Sequence, residues 1–464
     1  MTKLVRNLPH PADFEAPPSV ADRARWPAAD VAARPARLGG KSRLPLPPAL
    51  RLTLVGLVVV VGLAGCAGTP TSPTATPSAG ASADATPTTS VAPTPSVTPT
   101  SSPVPTTPAP LTFVATGSMH TARSRATATL LKNGQVLIAG GALDYGGTQD
   151  VYASAELYDP ATGKFSPTGS MTAARSYATA TLLTDGRVLI AGGDGCSNRR
   201  SCYVANDSTQ HLTSAELYDP ATSKFTATGS MTGSRSYAAS ALLPGGRVFL
   251  AGGDKWAELY DPSSGKFART GKPTVQSGYN TVTLLPSGKV LVTEQSASLD
   301  TFAQLYDVAS GTFTTISLAL PPGTPTVHYG GFVLMRAAPS TATLLKDGRV
   351  LLFEGGYLET YDPATGACID AGFISPAGQW DGATATLMPD GRVLYEGGYL
   401  NNSDPTNIAV LYDPTGGPSR TGSTQAARSS QTATLLPDGS VLIAGGDGTN
   451  ADGNPVASAE LFKP

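Results

Sequence analysis

The chain has 464 residues, enough for one large domain or two of medium size. With charged residues at 14%, 51 Gly and 40 Pro, it is neither a long-helix nor a coiled-coil protein. The formal net charge is -2, and residues 1–51 hold nine Lys/Arg against four Asp/Glu. The remainder is mildly acidic and lacks the basic face that nucleic-acid binding needs to neutralise phosphates.

Residues 1–40, rich in Ala, Pro and Arg, show no helical or strand period, so they are expected to be disordered or to precede the true start. Residues 41–66 read as a targeting segment. Lys41, Arg43 and Arg51 lead into an apolar stretch from Leu52 to Ala64, short for a membrane span of about 20 residues but suited to a signal-peptide core. The stretch ends in Leu63-Ala64-Gly65-Cys66, which resembles the lipobox of bacterial lipoproteins. That resemblance implies cleavage before Cys66 and acylation of its sulfur and new amino group, since two or more chains anchor stably where one does not. An uncleaved anchor is the alternative, and about 50 residues ahead of the core is long for a lipoprotein signal. Either way the remainder is expected outside the cytoplasm, anchored to a bacterial membrane. Residues 67–110, with 11 Pro and a single charge, Asp84, cannot bury enough apolar surface to fold and are expected to form an extended linker.

From Leu111 onward the chain repeats. A phrase of the form Thr-Leu-Leu-x-Asp/Asn-Gly-x-Val-Leu recurs with its turn glycine at Gly134, Gly186, Gly246, Gly288, Gly348, Gly391 and Gly439, at a mean spacing of about 51 residues. Six of the seven copies continue to a double glycine such as Gly192-Gly193; the fourth has Glu294-Gln295 instead. A second phrase, Ala-Glu-Leu-Tyr-Asp-Pro at Ala155 to Pro160, follows in varied form, then a Thr-Gly-Lys-Phe turn. One copy reads as four antiparallel strands: Ala178 to Leu183, Arg187 to Ala191, Ser214 to Tyr218, and one around Lys224 to Thr228. The first two are joined by the loop Thr184-Asp185-Gly186, with glycine at the left-handed position. The second strand is continuously apolar, as in a strand buried on both faces. Seven such sheets bury their faces only when packed radially.

The period, the double glycine and the Tyr-Asp-Pro phrase resemble Kelch repeats over residues 111–464, which implies an all-β, seven-bladed Kelch-type β-propeller. Phe165, Phe225, Phe267 and Phe313 stand where the family carries Trp in the outer strand. The seventh copy stops at Pro464 before an outer strand, while residues 111–117 match the outer-strand phrase. The N-terminal strand is therefore expected to close the last blade beside Ala457 to Leu461, which removes free sheet edges.

In this topology the turns joining first to second and third to fourth strands are short, so function is expected on the opposite face, where loop lengths vary. Its second-to-third-strand loops include Asp144, Tyr145, Tyr399, Asn401 and Asp447. The repeat-phased Arg123, Arg175, Arg235 and Arg428 are expected to donate to neighbouring carbonyls, and the Tyr and Asp of each Tyr-Asp-Pro to be structural. The binding candidates are the unphased Arg199, Arg200, Trp256, His328, Tyr329 and Trp380. Cys196 and Cys202 bracket one loop, and a disulfide between them would present Arg199 and Arg200, as export permits. Cys368 is expected to be a half-buried thiol on an outer strand.

Galactose oxidases share the Kelch-type propeller, and that likeness implies a copper site of paired His and Tyr. The four histidines, His10, His120, His211 and His328, show no pair at ligand spacing, so no metal or cofactor is expected. The stretch Asp447 to Asn454 offers oxygen ligands without the calcium-loop spacing and reads as a solvated hairpin. The main expectation is a lipid-anchored binding or scaffold protein whose partner is a protein or a cell-surface carbohydrate, with no nucleic acid. The alternative is a carbohydrate-active enzyme, like the bacterial Kelch sugar mutarotases or an epimerase, using carboxylates or His near the central channel.

Overall fold

The computed structural model describes residues 111–464 except 146–147, 197–200, 206–209, 275–279, 296–300, 317, 319–327, 330–331, 334–340, 355, 375–381, 401–403 and 450–453. Of several strand residues beside these it describes the backbone alone. The described residues are all-β, built from four-stranded antiparallel sheets that follow the repeat.

The second sheet shows how the repeat specifies one unit. Its strands are Thr179–Leu182, Val188–Ala191, Ala215–Asp219 and Lys224–Ala227, paired in chain order. The first hairpin closes when Leu183 N donates to Arg187 O at 2.8 Å and Gly186 N donates to Leu183 O at 3.0 Å. Gly186 takes φ +91°, a left-handed conformation that costs glycine no side-chain clash. Strand Val188–Ala191 is buried at every residue, while Lys224–Ala227 is largely exposed, so apolar and polar runs sort themselves inward and outward. The turn between the last two strands is held by Asp219, which accepts from Ala221 N at 2.9 Å and from Thr222 Oγ1 at 3.1 Å.

The first sheet, from Thr127–Leu130 to Lys164–Pro167, and the third, from Ala239–Leu242 to Lys266–Arg269, repeat this plan. So do the fourth, from Asn280–Leu284 to Thr312–Ile316, and the fifth, from Thr341–Leu344 to Cys368–Phe373. The sixth begins with Ala383–Leu387 and Val393–Gly397. Its long strands Asp404–Asp413 and Gly417–Ser429 pair through two irregularities, and the last continues into a pairing with Asp447–Gly448. In the seventh, Thr432–Leu435, Val441–Ala444 and Ala459–Lys463 are joined by Thr112–Ala115 from the start of the repeat region, with Thr112 opposite Lys463 and Ala115 opposite Glu460.

Each hydrophobic cluster belongs to two consecutive sheets. Val188, Ile190 and Tyr218 of the second sheet pack on Leu137 and Ala139 of the first, and the same relation holds onward to the sixth and seventh. A further cluster joins Leu442 and Ala444 of the seventh to Val136, Ile138 and Tyr158 of the first. The tyrosines of the Tyr-Asp-Pro phrase lie within these seams. Tyr158, Tyr218 and Tyr260 are fully buried, and each hydroxyl lies 2.8 Å from a threonine leaving the preceding outer strand, Thr116, Thr168 and Thr228. Phe165, Phe225 and Phe267 pack on the same rings at 4.7–4.8 Å, filling the space beside each tyrosine. Sheets that cover one another face to face in sequence make this a β-propeller.

Two details depart from expectation. The connections between second and third strands carry strands of their own: Thr148–Tyr152 pairs with Ser201–Ala205, so the first two repeats are tied together outside their sheets. Cys368, expected to be half-buried, is 1% exposed.

Candidate active site

The four phased arginines are scaffolding. Each enters from the segment before a first strand and turns its guanidinium back into its own sheet. Arg175 Nη1 donates to Gly192 O at 2.8 Å and Ser214 O at 3.0 Å, and Nη2 donates to Glu216 Oε1 at 2.8 Å. Arg123, Arg235 and Arg428 do the same with Glu156, Glu258 and Glu460. Burial works against the charge of Arg123 and Arg175, and the paired Glu156 and Glu216 counter it. The carbonyl partners were legible from the repeat; the carboxylates from the Ala-Glu-Leu-Tyr phrase were not anticipated.

Two positions after each arginine the repeat becomes variable. In the frame Ala/Ser-Arg-Ser-x the last residue is Arg125, Tyr177, Tyr237 or Ser430, and all four take φ between +52° and +57°. Non-glycine residues hold that conformation only where their surroundings over-determine it. Here the cause is a ladder between sheets: Ser430 N donates to Gly382 O, Arg125 N to Ser430 O, Tyr177 N to Arg125 O and Tyr237 N to Tyr177 O, at 2.8–3.2 Å. The ladder lines four variable side chains along the ends of the inner strands. Tyr177 and Tyr237 pack with ring centroids 3.8 Å apart at an interplanar angle of 34°, and the Arg125 guanidinium lies 5.2 Å from the Tyr177 ring centroid.

Beside this row stand two residues that each come directly after a double glycine, Tyr399 of the sixth repeat and Asp447 of the seventh. Tyr399 Oη donates to Asp447 Oδ2 at 2.7 Å, and Arg125 Nη2 approaches the same oxygen at 3.5 Å. Asp447 is 4% exposed, and its other oxygen, Oδ1, is buried with no hydrogen-bond partner among the described residues. A buried carboxylate oxygen left unmatched is costly and marks a place where a donor is missing. Burial, then the charge of Asp447, pushes the Tyr399 phenol above its ordinary range, so it stays protonated as a donor, while Arg125 pulls the other way. The cluster therefore combines a carboxylate acceptor, a phenolic acid, a cation and an aromatic platform. At the matching position of the second repeat, Asp194 is buried and its Oδ1 lies 2.6 Å from Nδ1 of the half-exposed His211.

Three residues before Tyr399 stands a second carboxyl. Glu396 is fully buried, takes hydrogen bonds from Thr384 Oγ1 and Gln431 Nε2, and burial pushes it up to about 7.

Of the predicted binding residues, Trp256 alone is described with its side chain. Trp256 is half-buried: its N–H donates to Asp254 Oδ1 at 3.0 Å, its carbonyl accepts from Arg235, and Arg269 lies 5.8 Å from its ring centroid. His328 and Tyr329 sit on the short strand His328–Tyr329, described by backbone alone. Arg199, Arg200 and Trp380 lie outside the described residues, as does Cys66, and so do the side chains of Cys196 and Cys202. Of the variable-loop residues, Tyr399 and Asp447 were singled out by the loop argument, but Asp447 belongs to a buried cluster and not to a solvated hairpin. Arg125, Tyr177, Tyr237, Glu396 and Gln431 were missed. The available signal was variation inside a fixed frame: different side chains at one repeat position, and Glu396, like Glu354, where four other copies have Ala139, Ala191, Ala251 and Ala444.

No family model matches the chain, and no curated protein matches it. Among solved structures it is similar to a fungal alcohol oxidase of the AA5 family in complex with copper, at 18% identity over 76% of each chain with a TM-score of 0.55. It is also similar to YjhT, at 14% identity over 74% of this chain and 95% of that one, with a TM-score of 0.46. At such identity the first likeness is one of fold. The fold is that of a β-propeller. The expectation of a binding or scaffold protein is corrected here. The structure that this one resembles belongs to an enzyme, and the residues that follow two of the double glycines form a carboxylate–phenol pair. The copper of that oxidase does not find its donor set among the described residues. No three His, Cys, Asp or Glu side chains converge, His120 is engaged by Glu156 at 3.0 Å, and His211 by Asp194.

Proposed function

We propose that this protein is a carbohydrate-active enzyme of the mutarotase or epimerase kind, acting on a free reducing sugar held against the Tyr177–Tyr237 platform. The observation that carries this reading is the Tyr399–Asp447 pair, with a phenol 2.7 Å from one carboxylate oxygen and the other oxygen buried and unmatched. Anomer exchange needs an acid and a base and no redox group. The Asp447 carboxylate takes the proton of the anomeric hydroxyl as the C1 carbonyl forms, the bond from C1 to the ring oxygen breaks, and Tyr399 gives its proton to that oxygen. Rotation about the C1–C2 bond and the reverse steps close the ring on the opposite face. Arg125 balances the charge that develops on the phenolate. Polarimetry on a panel of aldoses, ketoses and acidic sugars tests the reading. One of them should equilibrate faster than its spontaneous rate, and Tyr399→Phe and Asp447→Asn should each lose about 10²- to 10⁴-fold of the acceleration. No acceleration on any sugar would overturn it.

We further infer the setting of this site. The likeness of the repeats to Kelch repeats, the core clusters shared between consecutive sheets, and the pairing of Thr112–Ala115 with Ala459–Lys463 support a seven-bladed Kelch-type ring closed by its N-terminal strand. The site then lies at the mouth of the central channel. The apolar stretch ending at Cys66 and the Pro-rich residues 67–110 support a lipid-anchored protein held outside a bacterial membrane by an extended tether, with cell-surface sugars within reach. A Cys196–Cys202 disulfide fits that compartment.

A further inference from the structure

The seam between the sixth and seventh sheets differs from the regular seams in three coordinated positions. Where a regular seam packs a methionine against the first glycine of the neighbouring pair, the seventh repeat has Thr424. In those seams Met171, Met231 and Met119 bring Cε to 3.0–3.2 Å of where a Cβ on Gly140, Gly192 or Gly445 would stand. Where Ala126, Ala178 and Ala238 precede the first strand, the seventh repeat has Gln431, and where Ala139, Ala191, Ala251 and Ala444 precede the glycine pair, the sixth has Glu396, as the fifth has Glu354; the pairing of the glutamate with Gln431 is what sets the sixth-to-seventh seam apart. The three changes answer one another. The Gln431 amide takes the methionine's place: a Cβ on Gly397 would lie 2.2 Å from Gln431 Nε2, and one on Gly446 would lie 2.9 Å from Gln431 Cβ. Gln431 is thus wedged between the Gly397-Gly398 pair that carries Tyr399 and the Gly445-Gly446 pair that carries Asp447. Its Nε2 donates to both Glu396 O and Glu396 Oε2 at 2.9 Å, and Thr384 Oγ1 donates to Glu396 Oε1.

We propose that Glu396 and Gln431 are positioning residues, a buried carboxyl–amide pin that spaces the two glycine turns so that the Tyr399 hydroxyl meets the Asp447 carboxylate. A regular seam needs only apolar filling, because it holds no pair of polar groups in register across it. This one has a bridge to aim, and hydrogen bonds fix direction where methyl packing does not. The pin also makes the bridge responsive to pH. Glu396 faces Thr384 and Gln431 directly, with Arg428 favouring its ionised form and Glu460 opposing it, and burial sets its titration near neutrality, at about 7. The ionised carboxylate keeps the amide donor but must be solvated in a closed seam, so the spacing of the turns changes on ionisation.

The inference rests on the proposed role of the Tyr399–Asp447 pair, and its test is independent of any sugar. The full chain is labelled at tyrosine Cζ, the Tyr399 resonance is identified by its loss in Tyr399→Phe, and its shift is followed from pH 5 to 9. The wild-type resonance should step with a midpoint near 7. Glu396→Gln, which keeps the hydrogen bonds and removes the charge, should hold it at the low-pH position throughout. The double variant Glu396→Ala with Gln431→Ala, made together with Thr424→Met, restores the residues of the regular seams at all three positions and refills the space the amide leaves. It should move the resonance to the position seen in Asp447→Asn, and kcat on the sugar found by polarimetry should fall at least 10-fold with little change in KM. A Tyr399 resonance that ignores pH in the wild type, or is unmoved in the double variant, would overturn the pin. If the resonance follows Glu396 but no sugar turns over, the pin stands and the sugar reading falls.

Discussion

At the scale of single residues, the most exposed consequence concerns Glu396. Its folded form titrates at about 7 against an ordinary 4.5, because the charged carboxylate is desolvated in the seam. The folded state therefore binds the proton more tightly than the unfolded one. Stability from this group is fully present below about pH 4.5, falls as pH rises through the interval to about 7, and is flat above it, a loss of about 3 kcal/mol. Asp185, Asp347 and Asp390 act in the opposite sense. Burial pushes Asp185 and Asp390 up, but in all three the arginine partner prevails and holds the carboxyl below its usual range, so their contribution disappears only in stronger acid. Chemical denaturation across pH 4.5 to 8 should show declining stability in the wild type and a nearly level profile in Glu396→Gln. A wild-type protein that gains stability over that interval would contradict the burial of this carboxyl.

At the scale of the element, the glycines of one repeat play different parts, and the difference can be measured. Gly134 and Gly140 both lie in the left-handed region, at φ +86° and +70°. A Cβ at Gly134 would meet nothing within 4 Å, whereas one at Gly140 would stand 2.3 Å from the backbone oxygen of Arg175 in the next sheet. Gly134→Ala should cost about 1 kcal/mol, the conformational penalty alone, and Gly140→Ala at least about 2 kcal/mol more, because backbone cannot move aside. Thermal unfolding of the two variants decides it, and equal losses would mean that the seam yields to an added methyl. The strands, the hairpin glycines and the inward tyrosines were legible in the sequence because each repeats in register and each has a local cause. The site was only half legible. Tyr399 and Asp447 come after a glycine pair and stand out by loop position, but Arg125, Tyr177 and Tyr237 lie hidden after an arginine that fixes attention on itself. Their neighbourhood is created by hydrogen bonds between sheets, which no single repeat contains. Glu396 and Gln431 were invisible for the same reason: they are 35 residues apart and meaningful only as a pair.

At the scale of the whole molecule, the pairing of Thr112–Ala115 with Ala459–Lys463 joins the two ends of the repeat region. Phe113 packs against Phe462 in a tilted pair with centroids 5.0 Å apart, and Leu111 and Phe113 pack into the core between the sixth and seventh sheets. A chain beginning at residue 118 should lose cooperative unfolding and aggregate through the bared edge of Ala459–Lys463, while one beginning at residue 111 should remain monodisperse. Equal behaviour of the two would show that the closing strand is dispensable. The same arrangement makes function a property of the assembled ring. Arg125 from the first repeat meets the Tyr399–Asp447 pair of the sixth and seventh where the two ends of the repeat region come together. The central claim is that this convergence is catalytic. It is tested most directly by magnetisation exchange between the two anomers of a reducing sugar in the presence of the full chain. The account predicts exchange cross-peaks with the wild-type protein and their absence with Asp447→Asn at equal concentration. Equal exchange rates for the two proteins, or none above the spontaneous rate across the sugar panel, would contradict it.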